Sequence, residues 1–370
     1  MTTPGARAPA VSVSWYSTAL TEAAGQAVDK LTADGVPAAV SAKDPQLWGA
    51  DAAAEAAMRL GWLDAPYVSR ALLGPLAALA GQVYQDGIEH IVLSGMGGSS
   101  LAPEVISRSF QVPLTLLDTT DPHAAARALA DRLDRTLIVV SSKSGSTIET
   151  DSHRRIYEHA FAGLGLSPGQ VARRIVVVTD PGSPLEGLAR QLGYQLMLAD
   201  PTVGGRYSAL TAFGLVPAGL AGADVARLLD EADAVRPALA ADTGNPGLTL
   251  GAALGGYALA GHDKAVLADC GSGLAGFGDW AEQLIAESTG KHGRGILPVV
   301  VGGENAPGFS PGPDIHLLGL GRPAGPVDTS VTGPLGAQFL VWEYAVAVAG
   351  RPACPAGWRR SRRRHGPGRP

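Results

Sequence analysis

Ser142, Lys143, Ser144 and Thr147 fall within six residues, directly after a β-branched run, in the stretch IVVSSKSGSTIET at 138–150. A loop of hydroxyls that opens a helix offers O–H donors and free backbone N–H groups, and the helix dipole adds partial positive charge at the same point. Those groups suit a phosphate. Ser142, Ser144 and Thr147 can surround its oxygens without a metal, Gly145 lets the backbone approach closely, and Lys143 adds charge. The G-x-x-x-x-G-K-[ST] pattern of a Walker loop is absent. A plainer reading makes Ser146 or Thr147 a helix cap with Glu149 in the first turn. The loop alone leaves both readings open.

A second glycine-rich stretch, GMGGSS at 95–100, has Gly95 and Gly97 but Ser100 where a dinucleotide fingerprint wants a third Gly or Ala. Its glycines still let the backbone lie against a ligand, with Ser99 at the start of a helix. Lys291 and His292 stand together at a predicted helix end, where such a pair commonly complements the helix dipole.

Strands and helices must position these loops. Residues 1–85 read as helices at 16–33, 49–61 and 66–85 with no convincing strand. From residue 90 the short apolar runs HIVLSG, PLTLLDTTD, TLIVVSS, RIVVVTD and YQLMLAD alternate with helical segments, including 122–133 and 146–162. That alternation predicts a parallel sheet covered by helices on both faces. Helices at 208–219, 223–236 and 246–261 follow. KAVLADCG, GILPVVVG and DIHLLGL, with helices at 275–288 and 334–349, then predict a second, smaller α/β unit. In open parallel sheets ligands bind beyond the carboxyl ends of the strands. The sequences at those ends are SGMGGSSLAP, DTTDP, SSKSGSTIET and TDPGSP.

With 370 residues, 46% of them hydrophobic, the chain can bury more than one compact core. Two cysteines, Cys270 and Cys354, make neither a disulfide framework nor a zinc site, which predicts a reducing compartment. The N-terminus lacks a signal-peptide pattern and no run of about 18 apolar residues occurs, so a cytoplasmic, soluble protein is expected. A net charge of −5 argues against a general nucleic-acid binder.

GMGGSSLAP (95–103), SSKSGSTIET (141–150), GGRYSALTAFG (204–214) and QLIAESTGK (283–291), in this order and spacing, resemble the glucose-6-phosphate isomerase (phosphoglucose isomerase) family, in an actinobacterial-like form. The match runs from about residue 86 to 350. The resemblance implies an α/β fold of two sugar-isomerase (SIS) type doubly wound parallel-sheet domains, the first at 86–220 and the second, incomplete, at 221–350, behind an N-terminal helical segment at 1–85. It implies that Ser142, Lys143, Ser144 and Thr147 hold a sugar phosphate, with Gly98, Ser99 and Gly205 near the sugar. Arg206 and Gln283 would line the reacting carbons, and Glu287 would be the base. One carboxylate can take the proton from C2 of an aldose and return it at C1 through a cis-enediol. Arg206, permanently charged, would stabilise the enediolate edge. The implied substrate is a hexose 6-phosphate, without cofactor or metal, in a homodimer that binds neither nucleic acid nor membrane. The alternative is a sugar-phosphate-binding SIS module without catalysis.

The sequence departs from the family in two places. Relatives take a catalytic histidine from a neighbouring subunit, in a segment like G-T-N-G-Q-H. Here GPLGAQFLVWE (333–343) stands in its place, with Gln338 near the expected histidine, which puts ring opening in doubt. After residue 350, RPACPAGWRRSRRRHGPGRP carries seven Arg and no acid. The plain reading of this non-periodic stretch (351–370) is a basic, disordered tail and the alternative a nucleic-acid arm, but the product of a frameshift or truncation fits it better.

Overall fold

The computed structural model describes residues 11–290 and 293–350. The readings of Lys291, His292 and the basic tail lie outside the described residues.

Among the described residues, ten strands form two five-stranded sheets. In chain order they are β1 (Ser12–Trp15), β2 (His90–Gly95), β3 (Thr115–Leu117), β4 (Thr136–Ser141), β5 (Ile175–Thr179), β6 (Gln195–Leu198), β7 (Lys264–Cys270), β8 (Leu297–Val301), β9 (Ile315–Gly321) and β10 (Thr329–Thr332). The first sheet has the order β3-β2-β4-β5-β6 and is wholly parallel. Its central strands are continuous apolar runs because both faces are covered. Along β4 and β5, Leu137, Val139, Val176 and Val178 pack into one core cluster, while Ile138, Val140, Ile175 and Val177 pack into another. This alternation follows from side chains pointing to opposite faces at successive positions.

Register matters more for function. Gly95 of β2 pairs with Ser141 of β4, and Ser141 pairs with Val178 of β5. The three strands therefore end level, and the loops GMGGSS, SSKSGST and TDPGSP leave the sheet side by side.

The second sheet has the order β1-β10-β9-β7-β8, parallel except where β1 runs antiparallel to β10. The expectation of no strand in the first 85 residues is thus corrected, since Ser12–Trp15 pairs with Thr329–Thr332. Neither SVSW nor TSVT carries the apolar run that marks the interior strands, and each is recognisable only through the other. The expected helix at 66–85 is also broken, with a short helix Ala65–Val68 and a 3₁₀ turn Ser69–Leu72 ahead of Leu73–Gln85. Helices Val225–Leu239 and Pro246–Leu259 pack on Leu335–Ala349, and Thr18–Ala33 packs on Pro246–Leu259, which also meets β1 of the second sheet. Leu335–Ala349 is buried along almost its whole length, as expected of a helix that is apolar on every side.

Candidate active site

The chain leaves β4 at Ser141 and turns through residues 142–147 into helix Ile148–Gly163. Gly145 has φ of +68°, and a Cβ there would stand 2.9 Å from the backbone nitrogen of Leu185, so the turn admits only glycine without strain. Thr147 occupies the N-cap position, yet its side chain makes no capping hydrogen bond. Its Oγ1 lies 2.9 Å from Ser142 Oγ, while Ser146 Oγ donates to Ser144 Oγ at 3.0 Å. The hydroxyls face one another and not the helix, and among the described residues no side chain caps the first-turn N–H groups. The capping interpretation of this loop is therefore not met; the donors stay available to an anion.

Lys143 is less free than the sequence suggests. Its ammonium donates to Asp180 Oδ2 at 2.5 Å, with both side chains largely buried. Asp180 follows β5, and the adjacent Thr179 donates its hydroxyl to Ser142 O at 2.7 Å, fixing the two loops together.

A second cluster stands beside the first. After β2 the 3₁₀ turn Gly97–Ser99 precedes a helix that begins at Leu101, two residues beyond Ser99. A Cβ on Gly98 would lie 2.3 Å from Gly205 O and 3.0 Å from Arg206 N, so the two glycine loops touch backbone to backbone. A Cβ on Gly97 would lie 2.9 Å from Gln283 Nε2. Gln283 and Glu287 are one turn apart on helix Phe277–Thr289, and Gln283 Nε2 donates to Glu287 Oε1 at 2.9 Å. Arg206 Nη1 lies 3.5 Å from Glu287 Oε2, and its Nε donates to Ser288 Oγ at 2.7 Å. The guanidinium sits 5.5 Å from the ring centroid of Tyr207, whose ring is 5.3 Å from that of Trp62. Burial pushes the Tyr207 phenol above its ordinary range, which keeps it neutral beside the arginine. Glu287 itself is half exposed and can meet a ligand.

Between the loops lies a cleft of about 450 Å³ whose wall includes Met96, Gly98, Ser99, Ser142, Lys143, Ser144, Thr147 and Gly205. Seven of the ten residues singled out in the sequence are therefore on one surface. The other three, Arg206, Gln283 and Glu287, stand beside it against the Gly97–Gly98 turn. Two charged wall residues were not foreseen, Asp180 and Arg59. Asp180 lay in a strand-end loop already noted, TDPGSP, while Arg59 had no local signal. Gln338 is not on the wall. It is buried, donates to Gly333 O at 3.0 Å and accepts from Trp342 Nε1 at 3.3 Å. Chemically, the arrangement joins a hydroxyl- and amide-lined pocket suited to an anion with a carboxylate held between an amide and a guanidinium, suited to moving a proton at carbon.

The family model described as phosphoglucose isomerase matches residues 78–293. Similar curated proteins include a probable glucose-6-phosphate isomerase of Haloarcula marismortui, 34% identical over 218 residues, covering 57% of this chain and 49% of that protein. The glucose-6-phosphate isomerase of Methanocaldococcus jannaschii is 31% identical over 221 residues, covering 58% and 54%. The chain thus spans about half the length of these curated relatives. Among solved structures, a hypothetical protein from Thermus thermophilus has a TM-score of 0.75 at 22% identity, over 92% of this chain and 94% of that one. A glucose-6-phosphate isomerase from Chlamydia trachomatis has a TM-score of 0.70 at 19% identity, over 93% and 84%. At these identities the structural likeness is one of fold.

Proposed function

The chain belongs to the phosphoglucose isomerase family, and from that membership we propose that it interconverts glucose 6-phosphate and fructose 6-phosphate through a cis-enediolate. The observation that carries this reading is the Arg206–Glu287–Gln283 constellation, held against the same glycine turn that walls the hydroxyl-lined cleft.

In this reading the phosphate lies at the 142–147 loop. It accepts from the hydroxyls of Ser142, Ser144 and Thr147 and from the uncapped N–H groups of helix Ile148–Gly163. Gly98, Ser99 and Gly205 bring backbone against the sugar, whose C1–C2 end reaches the second cluster. Glu287 takes the C2 proton and returns it at C1, the hydroxyl proton of O2 passes to O1 within the enediolate, and the carboxylate ends the cycle ionised as it began. Arg206 is poised by Ser288 to meet the charge that develops on the O1/O2 edge. Gln283 donates to Oε1 and Arg206 faces Oε2, so the two together fix the carboxylate's orientation. The assignment covers the open-chain sugar, since Gln338 spends its amide inside its own helix region and offers nothing to ring opening. Pairing of two copies and a cytoplasmic setting belong to the same proposal.

A coupled isomerase assay on the wild type and Glu287→Gln tests it. A positioned general base contributes about 10²- to 10⁴-fold, and the variant should lose that much turnover while still binding hexose phosphate. Equal activity in the variant removes Glu287 from the mechanism. Binding without turnover in the wild type makes the chain a sugar-phosphate-binding module.

A further inference from the structure

Among the described residues, three side chains that carry charge line the cleft, Lys143, Asp180 and Arg59. Lys143 and Asp180 neutralise each other at 2.5 Å in a largely buried pair. A phosphate monoester near neutral pH carries nearly two negative charges. Hydroxyls and amides coordinate its oxygens, but they do not balance that charge. Among the described residues Arg59 is the remaining cation of the wall.

Arg59 is the last residue of helix Ala50–Arg59, and it precedes the stretch matched by the family model, residues 78–293. Its Nη1 donates to Pro201 O at 2.9 Å, and its Nε donates to Glu55 Oε1 at 2.8 Å. Those bonds use two of the five N–H donors of a guanidinium. Glu55 is two-thirds exposed, one helical turn away and off the cleft wall, so solvent screens the pair and it cancels little of the charge. The neighbouring backbone is tied to the same place. Gly61 N donates to Thr202 O at 3.4 Å, and Leu60 bridges Val203, just ahead of the Gly204–Gly205–Arg206 loop. The N-terminal helices are thereby joined to the segment that closes the cleft, with a cation at the junction.

We propose that Arg59 is a substrate-binding residue that supplies the net positive charge for the phosphate of the hexose 6-phosphate. The inference rests on reading the cleft as a sugar-phosphate site. Its test uses the full chain and glucitol 6-phosphate, which has no carbonyl and cannot be isomerised, titrated by calorimetry. Arg59→Gln should weaken binding about 10- to 100-fold, the loss of one charge-assisted contact to an anion. Arg59→Lys, which keeps the charge but loses the fork, should fall between Arg59→Gln and the wild type. Glu55→Gln, which removes an anchor and leaves the cation, should bind within about threefold of wild type. Binding by Arg59→Gln within twofold of wild type overturns the inference. So does Arg59→Lys binding no better than Arg59→Gln, or Glu55→Gln losing as much as Arg59→Gln, since either outcome makes Arg59 a structural tie. Failure of the wild type to bind glucitol 6-phosphate removes the sugar-phosphate reading itself, and the inference with it.

Discussion

Thr147 illustrates how far residue type alone carries. Its place before a helix suggests a cap or a phosphate ligand, and the structure speaks against the cap, because its Oγ1 faces Ser142 Oγ at 2.9 Å and not the helix. A lost N-cap typically costs about 1 kcal/mol of stability, whereas a lost charge-assisted hydrogen bond to an anion costs about 1.5–3 kcal/mol of binding. Thr147→Ala is therefore expected to weaken hexose-phosphate binding about 10- to 150-fold and to leave the melting temperature nearly unchanged, measured by calorimetry and a thermal melt. A lowered melt with unaltered binding would make the hydroxyl structural. Arg206 poses a different question. In the proposed mechanism its charge serves the enediolate more than the sugar, so Arg206→Ala should lower kcat by a larger factor than it raises KM. A rise in KM alone would make it a binding residue. Lys143 marks the limit of legibility at this scale, since nothing in SSKSGST announces that Asp180, 37 positions later, takes up its charge.

At the scale of elements, the interior strands were plain in the sequence because burial on both faces demands unbroken apolar runs, as in TLIVVS and IVVVT. β1 and β10 were not, since short edge strands with polar residues need no such run. The four motif segments were readable one by one, but what joins them is register and contact. Level strand ends bring three loops together, and Gly98 lets one of them lie on Gly205. Arg59 was invisible for the same reason, being placed by the Leu60–Val203 bridge and not by any pattern around it. The Gly98 contact gives a sharp test. An alanine Cβ 2.3 Å from a carbonyl oxygen cannot be relieved by a rotamer change, because both partners are backbone. Gly98→Ala should push the Gly205–Arg206 loop away from the cleft, with a cost of about 1–3 kcal/mol in stability and at least about tenfold in kcat/KM. Near-normal kinetics in that variant would mean that the spacing of the two loops is not what aligns phosphate and reacting carbons.

Across the whole molecule, the second sheet and its helices bury two titratable groups that pull stability in opposite directions with pH. His316 on β9 is buried against Tyr257 and Thr329, and desolvation pushes its pKa from 6.5 down to about 3. The folded chain refuses a proton that the unfolded chain accepts, so this contribution is complete above pH 6.5 and is lost as pH falls from 6.5 toward 3. Glu343, in the middle of Leu335–Ala349, is fully buried, and neither carboxyl oxygen has a hydrogen-bond partner among the described residues. Burial pushes its carboxyl well above 4.5. The folded chain there holds a proton that the unfolded chain releases, so this contribution is complete below pH 4.5 and is lost as pH rises above it. His90 and His153, also lowered by burial, add to the acid side. Unfolding followed by denaturant titration from pH 4 to 8 should therefore show stability falling toward the acid end through the histidines and eroding toward neutral pH through Glu343. Glu343→Gln, similar in shape and without a titration, should flatten the neutral limb and leave the acid limb in place. His316→Gln should do the reverse, with a shallower acid limb because His90 and His153 remain. If Glu343→Gln leaves the slope above pH 6 unchanged, the carboxyl has found a partner or water in solution, and the helix that carries it is less tightly closed than its burial implies.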